Sequence, residues 1–469
     1  MERHPIELSE ETLSLEREYI AKVYNSPDKP NSYYIVTYGC QMNVHDSETL
    51  SGILKEMGLK EADDREHAEF VIFNTCCVRE NAERRALGNV TWLKELKKTN
   101  KALRVAICGC MMQEPGMGEQ ILKQYPFVDL AFGTHNLYHF PSLFYQMIHT
   151  NRRVVEVIQN DEGCVPEGLP INRSSSFQSF VTIMYGCNNF CSYCIVPAVR
   201  GRERSRSSMR ILKEAEMLYK NGVKEITLLG QNVNSYGHDR DDELSFPNLL
   251  HELDKIGIER IRFMTSHPKD LSDELIEVMA SGKHICPSFH LPVQHGNDRI
   301  LKSMNRHYTR EQYLERVSAL RKAIPNISLT TDIIVGYPGE TEEEFQDTCS
   351  LVRTVRYDSA FTFIYSPRIG TRAALMDGQI ASEVASRRIQ ELISIQKQIT
   401  TETLKARIGQ IHSVLVDGIS KRSEKLMTGK NEYNISVNFP GTSEMIGSIL
   451  PIKITEAKET TLRGELYEE

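Results

Sequence analysis

The amino-acid sequence predicts an α/β protein of several domains that ends in a small all-β module. Strand-like and helix-like stretches alternate from about residue 31 to about residue 400, whereas short strands without intervening helices follow from about residue 402. Such alternation is typical of parallel sheets with helices on their faces. A chain of 469 residues is also too long to fold around one ordinary hydrophobic core, so we expect roughly two to four domains.

The first region, residues 1–30, is an extension without a clear strand signal, and it ends in the breaker-rich stretch NSPDKPNS. In residues 31–160, the runs YYIVTYGC, EFVIFNTCC and RVAICGC each lead into a helix-like stretch, and FVDLAFGTHN continues the pattern. We therefore expect a parallel-sheet domain. Cys40, Cys76 and Cys110 each follow a predicted strand. Because the carboxyl ends of parallel strands share one edge of a sheet, these thiols should meet in space.

A second boundary is predicted where Pro, Gly and Ser cluster, at about residues 161–178. Over residues 175–400, six βα units predict an incomplete version of the eight-unit barrel, whose chemistry gathers where the strands end. Thr341 and Glu344 form a capping box at the start of one of its helices. The stretches IHSVLVDGIS, EYNISVNFP and SILPIKITEA predict the all-β module, residues 402–469. The six barrel strands correspond to SFVTIMY, EITLLG, RIRFMTS, PSFHLPV, ISLTTDIIVG and AFTFIYS.

Composition indicates a soluble globular protein, with 40% hydrophobic and 25% charged residues. No apolar run approaches the roughly 18 residues of a membrane span, and the first residues are acidic and polar rather than a signal peptide. We therefore expect a cytoplasmic protein without a membrane partner. The net charge of −7 gives no global indication of nucleic-acid binding. In a reducing compartment, the 11 cysteines are expected to serve packing, metal binding or catalysis rather than disulfides.

Three cysteines within eight residues, Cys187, Cys191 and Cys194, form a C-x3-C-x2-C motif. Thiolates are soft ligands that suit zinc, copper(I) or iron–sulfur clusters. Structural zinc requires four ligands, and no fourth Cys or His stands at a familiar finger spacing. Three ligands fit a four-iron cluster with one iron left open for a substrate. A zinc site and a merely cysteine-rich loop are the alternatives.

The cysteine motif resembles the cluster loop of the radical S-adenosylmethionine (radical SAM) enzymes. Other stretches resemble the successive motifs of the MiaB-type tRNA methylthiotransferases, and the resemblance extends from about residue 33 to the end. It implies that residues 31–160 are the methylthiotransferase N-terminal domain, that residues 175–400 are a partial (β/α)6 radical SAM barrel, and that residues 402–469 are a TRAM domain that helps hold tRNA. The stretches are TYGCQMNVHDSE, NTCCVRENAE, GCMMQ, GTHNLYHFP, LGQNVNSYG, TSHPKDLSDELI, LTTDIIVGYPGETEEEF and FTFIYSPRIGT.

The resemblance implies two 4Fe-4S clusters, one held by Cys187, Cys191 and Cys194, and an auxiliary one held by Cys40, Cys76 and Cys110. It also implies that S-adenosylmethionine serves as methyl donor and, after reductive cleavage, as the radical source. The implied reaction replaces the C2 hydrogen of N6-isopentenyladenosine, beside the anticodon of tRNA, with a methylthio group. Because an adenine C–H bond offers no acid or base handle, the cofactors must supply the difficult step.

Further site residues follow from the same resemblance and from their positions. A cofactor pocket at the strand ends is expected to include Tyr193, Gly230, Gln231, Gln294, Asp332 and Gly336. Two groups of basic residues are expected to contact RNA, because one follows the cysteine loop and the other forms a local patch in the all-β module. A tight turn or a solvated charged face is the alternative for these positions. The basic residues are Arg200, Arg202, Lys421, Arg422, Lys425 and Lys430.

Other functions and partners remain open from the sequence. Sister enzymes modify threonylcarbamoyl-adenosine in tRNA or an aspartate of a ribosomal protein, and the triplet QHG around His295 resembles the aspartate-modifying type. GCQMNVHDSE and GTHNLYHFP instead resemble the isopentenyl-tRNA type. A non-catalytic iron–sulfur RNA-binding protein would lack a cluster cysteine, and all six are present. Expected partners are isopentenylated tRNA, a sulfur donor and an electron donor of the flavodoxin or ferredoxin type, with the chain a monomer.

Overall fold

The computed structural model describes residues 8–77, 80–158, 164–421 and 423–468. The first of its three units is an all-parallel sheet of six strands in the order β2-β1-β3-β4-β5-β6. Strand β3 (FVIFNT) is buried throughout, which is typical of a parallel strand covered on both faces. The elements are α1 (Glu10–Tyr24), β1 (Ser32–Thr37), α2 (Gln41–Glu56), β2 (Lys60–Glu61), β3 (Phe70–Thr75), α3 (Glu80–Thr99), β4 (Arg104–Gly109), α4 (Met117–Gln124), β5 (Leu130–Phe132), α5 (Phe140–Thr150) and β6 (Val154–Glu156).

Helix α1 lies in the extension, residues 1–30, for which the sequence showed no clear strand signal. Ser9 caps it by accepting a hydrogen bond from the backbone N–H of Thr12. The buried carboxylate of Glu16 accepts hydrogen bonds from the backbone N–H and the hydroxyl of Ser142, each at 3.0 Å, and lies 2.9 Å from His139 Nδ1. The helix is therefore tied to the start of α5.

The central unit contains the six predicted parallel strands as two sheets, β11-β10-β7 and β12-β13-β14. A single parallel bridge between Ile261 and Ile285 joins β11 to the segment before β12, so the strands form a partial barrel. Both hydrogen bonds of the predicted capping box at Thr341 are present. The elements are β7 (Gln178–Thr182), β8 (Met184–Tyr185), α6 (Val196–Arg200), β9 (Arg204–Ser205), α7 (Ser208–Lys220), β10 (Glu225–Leu229), α8 (Phe246–Asp254), β11 (Arg260–Phe263), α9 (Asp273–Ser281), β12 (Ser288–His290), α10 (Asp298–Ser303), α11 (Arg310–Ala323), β13 (Ser328–Val335), α12 (Glu342–Val355), β14 (Ser359–Ile364) and α13 (Ser382–Lys405).

The last unit is a closed five-stranded barrel in the order β15-β16-β17-β19-β18. It packs against the amino ends of β10 and β11, where Arg260 donates to the carbonyls of Lys430 (2.8 Å) and Ser413 (2.6 Å). The carboxyl ends of the central strands are therefore left clear of it. In the residues that the structure describes, no helix is both long and apolar enough to cross a bilayer. The strands are β15 (Ile411–Ser420), β16 (Ser423–Asn431), β17 (Ser436–Pro440), β18 (Ile449–Ala457) and β19 (Leu462–Leu466).

Candidate active site

The cysteine loop, which contains Cys187, Cys191 and Cys194, follows the first barrel strand, β7, and the short strand β8. Backbone hydrogen bonds close the loop. Cys187 N–H donates to the Gly201 carbonyl at 3.1 Å, and Cys194 N–H donates to the Cys191 carbonyl at 2.9 Å. Gly186 enters the loop with a φ of +76°, and a Cβ there would lie 1.9 Å from the carbonyl oxygen of Arg202. Only glycine fits this turn, which holds the three thiols within one compact frame.

The loop is also fixed to the barrel by side chains that the sequence did not single out. The hydroxyl of Ser192 lies 2.8 Å from that of Tyr337, and Ser192 N–H donates to the Met304 carbonyl at 3.0 Å. The buried guanidinium of Arg306 lies 3.5 Å from both the Cys191 sulfur and the Tyr193 hydroxyl. Arg306 therefore places a positive charge beside a predicted cluster ligand.

The environment of two of the loop thiols, Cys187 and Cys194, favours their protonated form. Although part of each side chain reaches solvent, the surrounding protein atoms raise the pKa of Cys187 and Cys194 to about 12. A cationic iron would supply the charge that stabilises the thiolates. Among the described residues, no three Cys, His, Asp or Glu side chains stand close enough to hold one metal ion. The cysteines of a four-iron cluster bind different irons, so the donor set of three thiols fits that group.

Buried polar atoms without partners gather beyond the ends of β10 and β11. Asn232 Oδ1, both amide atoms of Asn234, Ser266 Oγ and His267 Nε2 have no hydrogen-bond partner among the described residues, and neither has Asn189 Nδ2 in the cysteine loop. Buried polar groups are nearly always satisfied in folded proteins. These atoms therefore fit a polar molecule bound at the barrel mouth, and the amino, carboxylate and ribose groups of S-adenosylmethionine have that character.

Of the predicted pocket residues, Gly230 and Gln231 follow β10 and Gln294 follows β12, whereas Asp332 lies within β13 and Gly336 follows it. Gly230 directly follows β10, and a Cβ there would lie 2.6 Å from Met184 Cγ. The side-chain oxygen of Gln231 accepts a hydrogen bond from Gly186 N–H, so Gln231 supports the cysteine loop. Gln294 is buried with a φ of +68°, and its N–H donates to the Asp332 carbonyl at 2.8 Å.

The remaining two positions differ in their surroundings. Gly336 has a φ of +73°, and its N–H donates to Glu340 Oε2 at 2.7 Å. Tyr193 packs against the apolar cluster that contains Tyr337. Direct contact of any of these residues with a cofactor stays a prediction.

The three remote cysteines of the first unit lie close together at one sheet edge. Cys76 and Cys110 directly follow β3 and β4, and Cys40 precedes α2. The side-chain oxygen of Asn43 accepts from the thiols of Cys40 (3.7 Å) and Cys110 (3.8 Å). A Cβ at Gly39 would lie 3.2 Å from the Cys76 sulfur. The expected meeting of these thiols is therefore present, and Asn43 is the contact that sequence inspection missed.

Arg200 joins the two cysteine groups. It is the last residue of α6, a helix about 7.5 Å long that begins just after Cys194. Its guanidinium donates to the Cys110 sulfur (3.2 Å), Asn43 Oδ1 (3.1 Å) and Asp46 Oδ2 (2.7 Å). Arg200 is only 6% exposed, so the structure does not present it to an RNA phosphate as the sequence led us to expect.

The thiol of Cys110 has a lowered pKa. A hydrogen bond from Cys77, together with the charge of Arg200, outweighs burial and lowers the pKa of Cys110 to about 6. Its sulfur is thus predisposed to the thiolate form that binds iron.

Three family models match the chain. They are the Radical SAM superfamily over residues 181–352, the TRAM domain over residues 405–467, and "Uncharacterized protein family UPF0004" over residues 32–133. A tRNA-2-methylthio-N(6)-dimethylallyladenosine synthase of Alkaliphilus oremlandii is 52% identical over 449 residues, which covers 96% of this chain and 95% of that protein. The chain belongs to this synthase family.

Other relatives support the assignment to this synthase family. The protein of the same name from Clostridium perfringens is 51% identical over 446 residues, covering 95% of this chain and 99% of its own length. A solved radical S-adenosylmethionine methyltransferase, TsrM from Kitasatospora setae, matches 73% of this chain and 74% of its own with a TM-score of 0.51. At 15% identity this likeness shows the fold alone.

The basic residues expected at RNA differ in accessibility in this synthase-family chain. Arg202 is exposed, and its guanidinium lies 5.1 Å from the ring centre of Phe190. Lys421 and Lys425 are exposed. Lys430 is half-buried, its ammonium lies 3.3 Å from the Asn434 carbonyl, and burial lowers its pKa, with a further contribution from the charge of Arg262. Arg422 lies outside the described residues.

His295, which the sequence linked to the aspartate-modifying type, has a structural environment. It is fully buried, its Nδ1 accepts from Asn297 N–H at 3.1 Å, and its Nε2 lies 2.8 Å from Glu340. The Nε2 therefore carries the proton that Glu340 accepts. Glu340 also binds Arg388 (2.7 Å) and Gly336 N–H, so His295 supports the turn after β13 rather than indicating a substrate.

Proposed function

We infer that this chain is a radical SAM tRNA methylthiotransferase that converts N6-isopentenyladenosine (dimethylallyladenosine) beside the anticodon to its 2-methylthio derivative. This inference rests on the two groups of three cysteines, which Arg200 and α6 connect. It also rests on relatives that match nearly the whole chain and bear the corresponding name. Each trio offers three thiols of the kind that bind a four-iron cluster.

The residues of the chain divide the work between the two sites. Cys187, Cys191 and Cys194 would hold the radical SAM cluster, and Cys40, Cys76 and Cys110 would hold the auxiliary cluster. When bound, the two 4Fe-4S clusters and S-adenosylmethionine supply the radical, the methyl group and the sulfur chemistry.

Supporting side chains fix these ligands and orient the pocket. Arg306 and Ser192 hold the cysteine loop, and Asn43 and Arg200 hold the thiols of the first unit. The unpartnered atoms of Asn232 and Ser266 supply polar groups for the bound cofactor.

The target base must leave its stack to reach this recessed site. The partners that complete the reaction are tRNA, a sulfur donor and an electron donor of the flavodoxin or ferredoxin type, and we propose that the chain acts as a cytoplasmic monomer. Lys421 and Lys425 on the C-terminal barrel are proposed to contact tRNA phosphates, because exposed lysines neutralise the backbone without reading its sequence.

Two triple variants test the assignment of the cysteines. Changing Cys187, Cys191 and Cys194 to Ala is expected to abolish formation of 5′-deoxyadenosine from S-adenosylmethionine. Changing the trio at 40, 76 and 110 is expected to leave that cleavage intact and to abolish the methylthio product. Both products are measured by mass spectrometry after anaerobic incubation with isopentenylated tRNA.

A third triple variant provides the matched control. Cys164, Cys286 and Cys349 lie outside both trios, and replacing all three by Ala should preserve both products. A methylthio product from the variant at 40, 76 and 110 would contradict the two-cluster assignment.

A further inference from the structure

An ordered segment beside the barrel mouth exposes large apolar side chains. Residues 365–378, here called the rim loop, follow β14. Within it Ile369 is 78% exposed and Leu375 is 89% exposed. Arg372 between them is also exposed. Isolated exposed apolar residues are ordinary, but two with an arginine between them on one short segment indicate a binding surface.

The rim loop is held against the cysteine loop by backbone hydrogen bonds. Ala373 N–H donates to the carbonyl of Ser192, which stands between Cys191 and Cys194, at 2.8 Å. Within the rim loop, Leu375 N–H donates to the Arg372 carbonyl at 3.1 Å. The exposed side chains are therefore displayed from a fixed backbone at the edge of the candidate active site.

A second exposed pair lies on the other part of the cysteine loop. Phe190, two residues before Ser192, is 43% exposed and has a φ of +45°, a conformation that bulky residues rarely adopt. The side-chain amide of Asn305 donates a hydrogen bond to the Phe190 carbonyl at 3.0 Å. The guanidinium of Arg202 lies over the Phe190 ring. Phe190 and Arg202 therefore present an aromatic ring and a cation at the same barrel mouth.

We propose that the rim, defined as Phe190, Arg202, Ile369, Arg372 and Leu375, binds the unpaired nucleotides that flank the target adenosine in the tRNA anticodon loop. Unpaired bases stack on aromatic and apolar side chains and on arginine planes, while arginines also neutralise phosphates. The chain carries a net charge of −7, so the arginines at the mouth provide a local positive charge that the chain as a whole does not offer to a phosphate. The proposal rests on the proposed function, since it names the part of the tRNA that this site grips.

The test is the affinity of the iron-loaded protein for a fluorescent anticodon stem-loop RNA that carries isopentenyladenosine, measured anaerobically over a range of salt concentrations. The double variant Ile369→Ser/Leu375→Ser should weaken binding by about tenfold or more, because two apolar side chains no longer pack against the bases, without changing the salt dependence. Arg372→Ala should reduce the slope of log K against log salt by about 0.7, the value for one phosphate contact in single-stranded RNA.

Matched surface variants separate a specific effect from a general one. Met209→Ser removes an exposed apolar side chain from α7 (72% exposed), and Arg353→Ala removes an exposed arginine from α12. Both should bind the RNA as the wild type does. Rim variants with wild-type affinity and salt slope would overturn the proposal, as would an equal loss of affinity in the control variants.

Product analysis keeps this proposal separate from the proposed function. If the wild type forms the methylthio nucleoside while rim variants bind and react unchanged, the rim proposal fails and the proposed function stands. If the wild type forms no such product, the proposed function fails, and the rim proposal, which rests on it, fails with it. Rim variants that retain RNA affinity but lose reduction by a flavodoxin would assign the surface to a protein partner and overturn the RNA proposal.

Discussion

Removing the charge of Arg200 should destabilise the junction between the first two units. In the variant Arg200→Met, the side chain keeps much of its apolar length but loses its hydrogen bonds to Cys110, Asn43 and Asp46. The Arg200 and Asp46 side chains are 7% and 8% exposed, so solvent screens their interaction little. Removing one partner of such a pair costs about 3–5 kcal/mol, because the other charge is left buried.

The free energy of unfolding is measured by urea titration of iron-loaded protein under anaerobic conditions, with circular dichroism as the signal. The double variant Arg200→Met/Asp46→Leu should recover a substantial part of the loss, because neither buried charge remains. Arg387→Met breaks an exposed ion pair with Glu342 and should change the free energy of unfolding little, because solvent screens the pair. A loss of stability for Arg200→Met no larger than that for Arg387→Met, or strictly additive effects in the double variant, would contradict this prediction.

Two further predictions concern the cysteine loop and the C-terminal barrel. Gly186→Ala places a methyl group against the Arg202 carbonyl and should lose about half of the bound iron, which is the iron of one of the two clusters. The control Gly222→Ala, at a φ of +81° with no neighbour within 4 Å, should keep its iron. Iron is measured colorimetrically, and equal iron contents in the two variants would contradict the prediction. Burial, with a contribution from Arg407, lowers the pKa of His412 to about 4, so the fold favours the neutral ring. Stability should therefore fall as pH decreases from about 6.5 toward 4. In urea titrations, His412→Gln should lose less stability than the wild type over this pH range. The same pH dependence in the variant and the wild type would exclude His412 as the cause.

The sequence predicted those features whose physical causes are local. Strand β3 begins with four consecutive apolar residues, and the capping box at Thr341 needs only side chains three residues apart. The positions of Cys76 and Cys110 after their strands place them at one edge, because parallel topology leaves no other arrangement. Partial-barrel architecture and the convergence of thiols were therefore predictable.

The features that the sequence did not indicate depend on contacts between distant residues. Arg200 belongs to an arginine-rich stretch that resembles a solvated face, yet its partner Asp46 lies 154 residues earlier. Helix α1 is stabilised by Glu16 through Ser142, 126 residues away. In the sequence, the stretch that forms strand β16 indicates a basic patch rather than a strand. The residues of this strand are buried only when the barrel closes, and the local sequence does not show that closure. No local pattern of residue types carries such information.

Methylthiolation of isopentenyladenosine in tRNA is the activity that we infer for this chain. The most direct test is to load the protein anaerobically with iron and sulfide, incubate it with S-adenosylmethionine, a reductant and isopentenylated tRNA, and analyse the digested nucleosides by mass spectrometry. We predict 2-methylthio-isopentenyladenosine together with 5′-deoxyadenosine. Formation of 5′-deoxyadenosine with the tRNA left unmodified would contradict the substrate, and the absence of both products from fully loaded protein would contradict the enzymatic function itself.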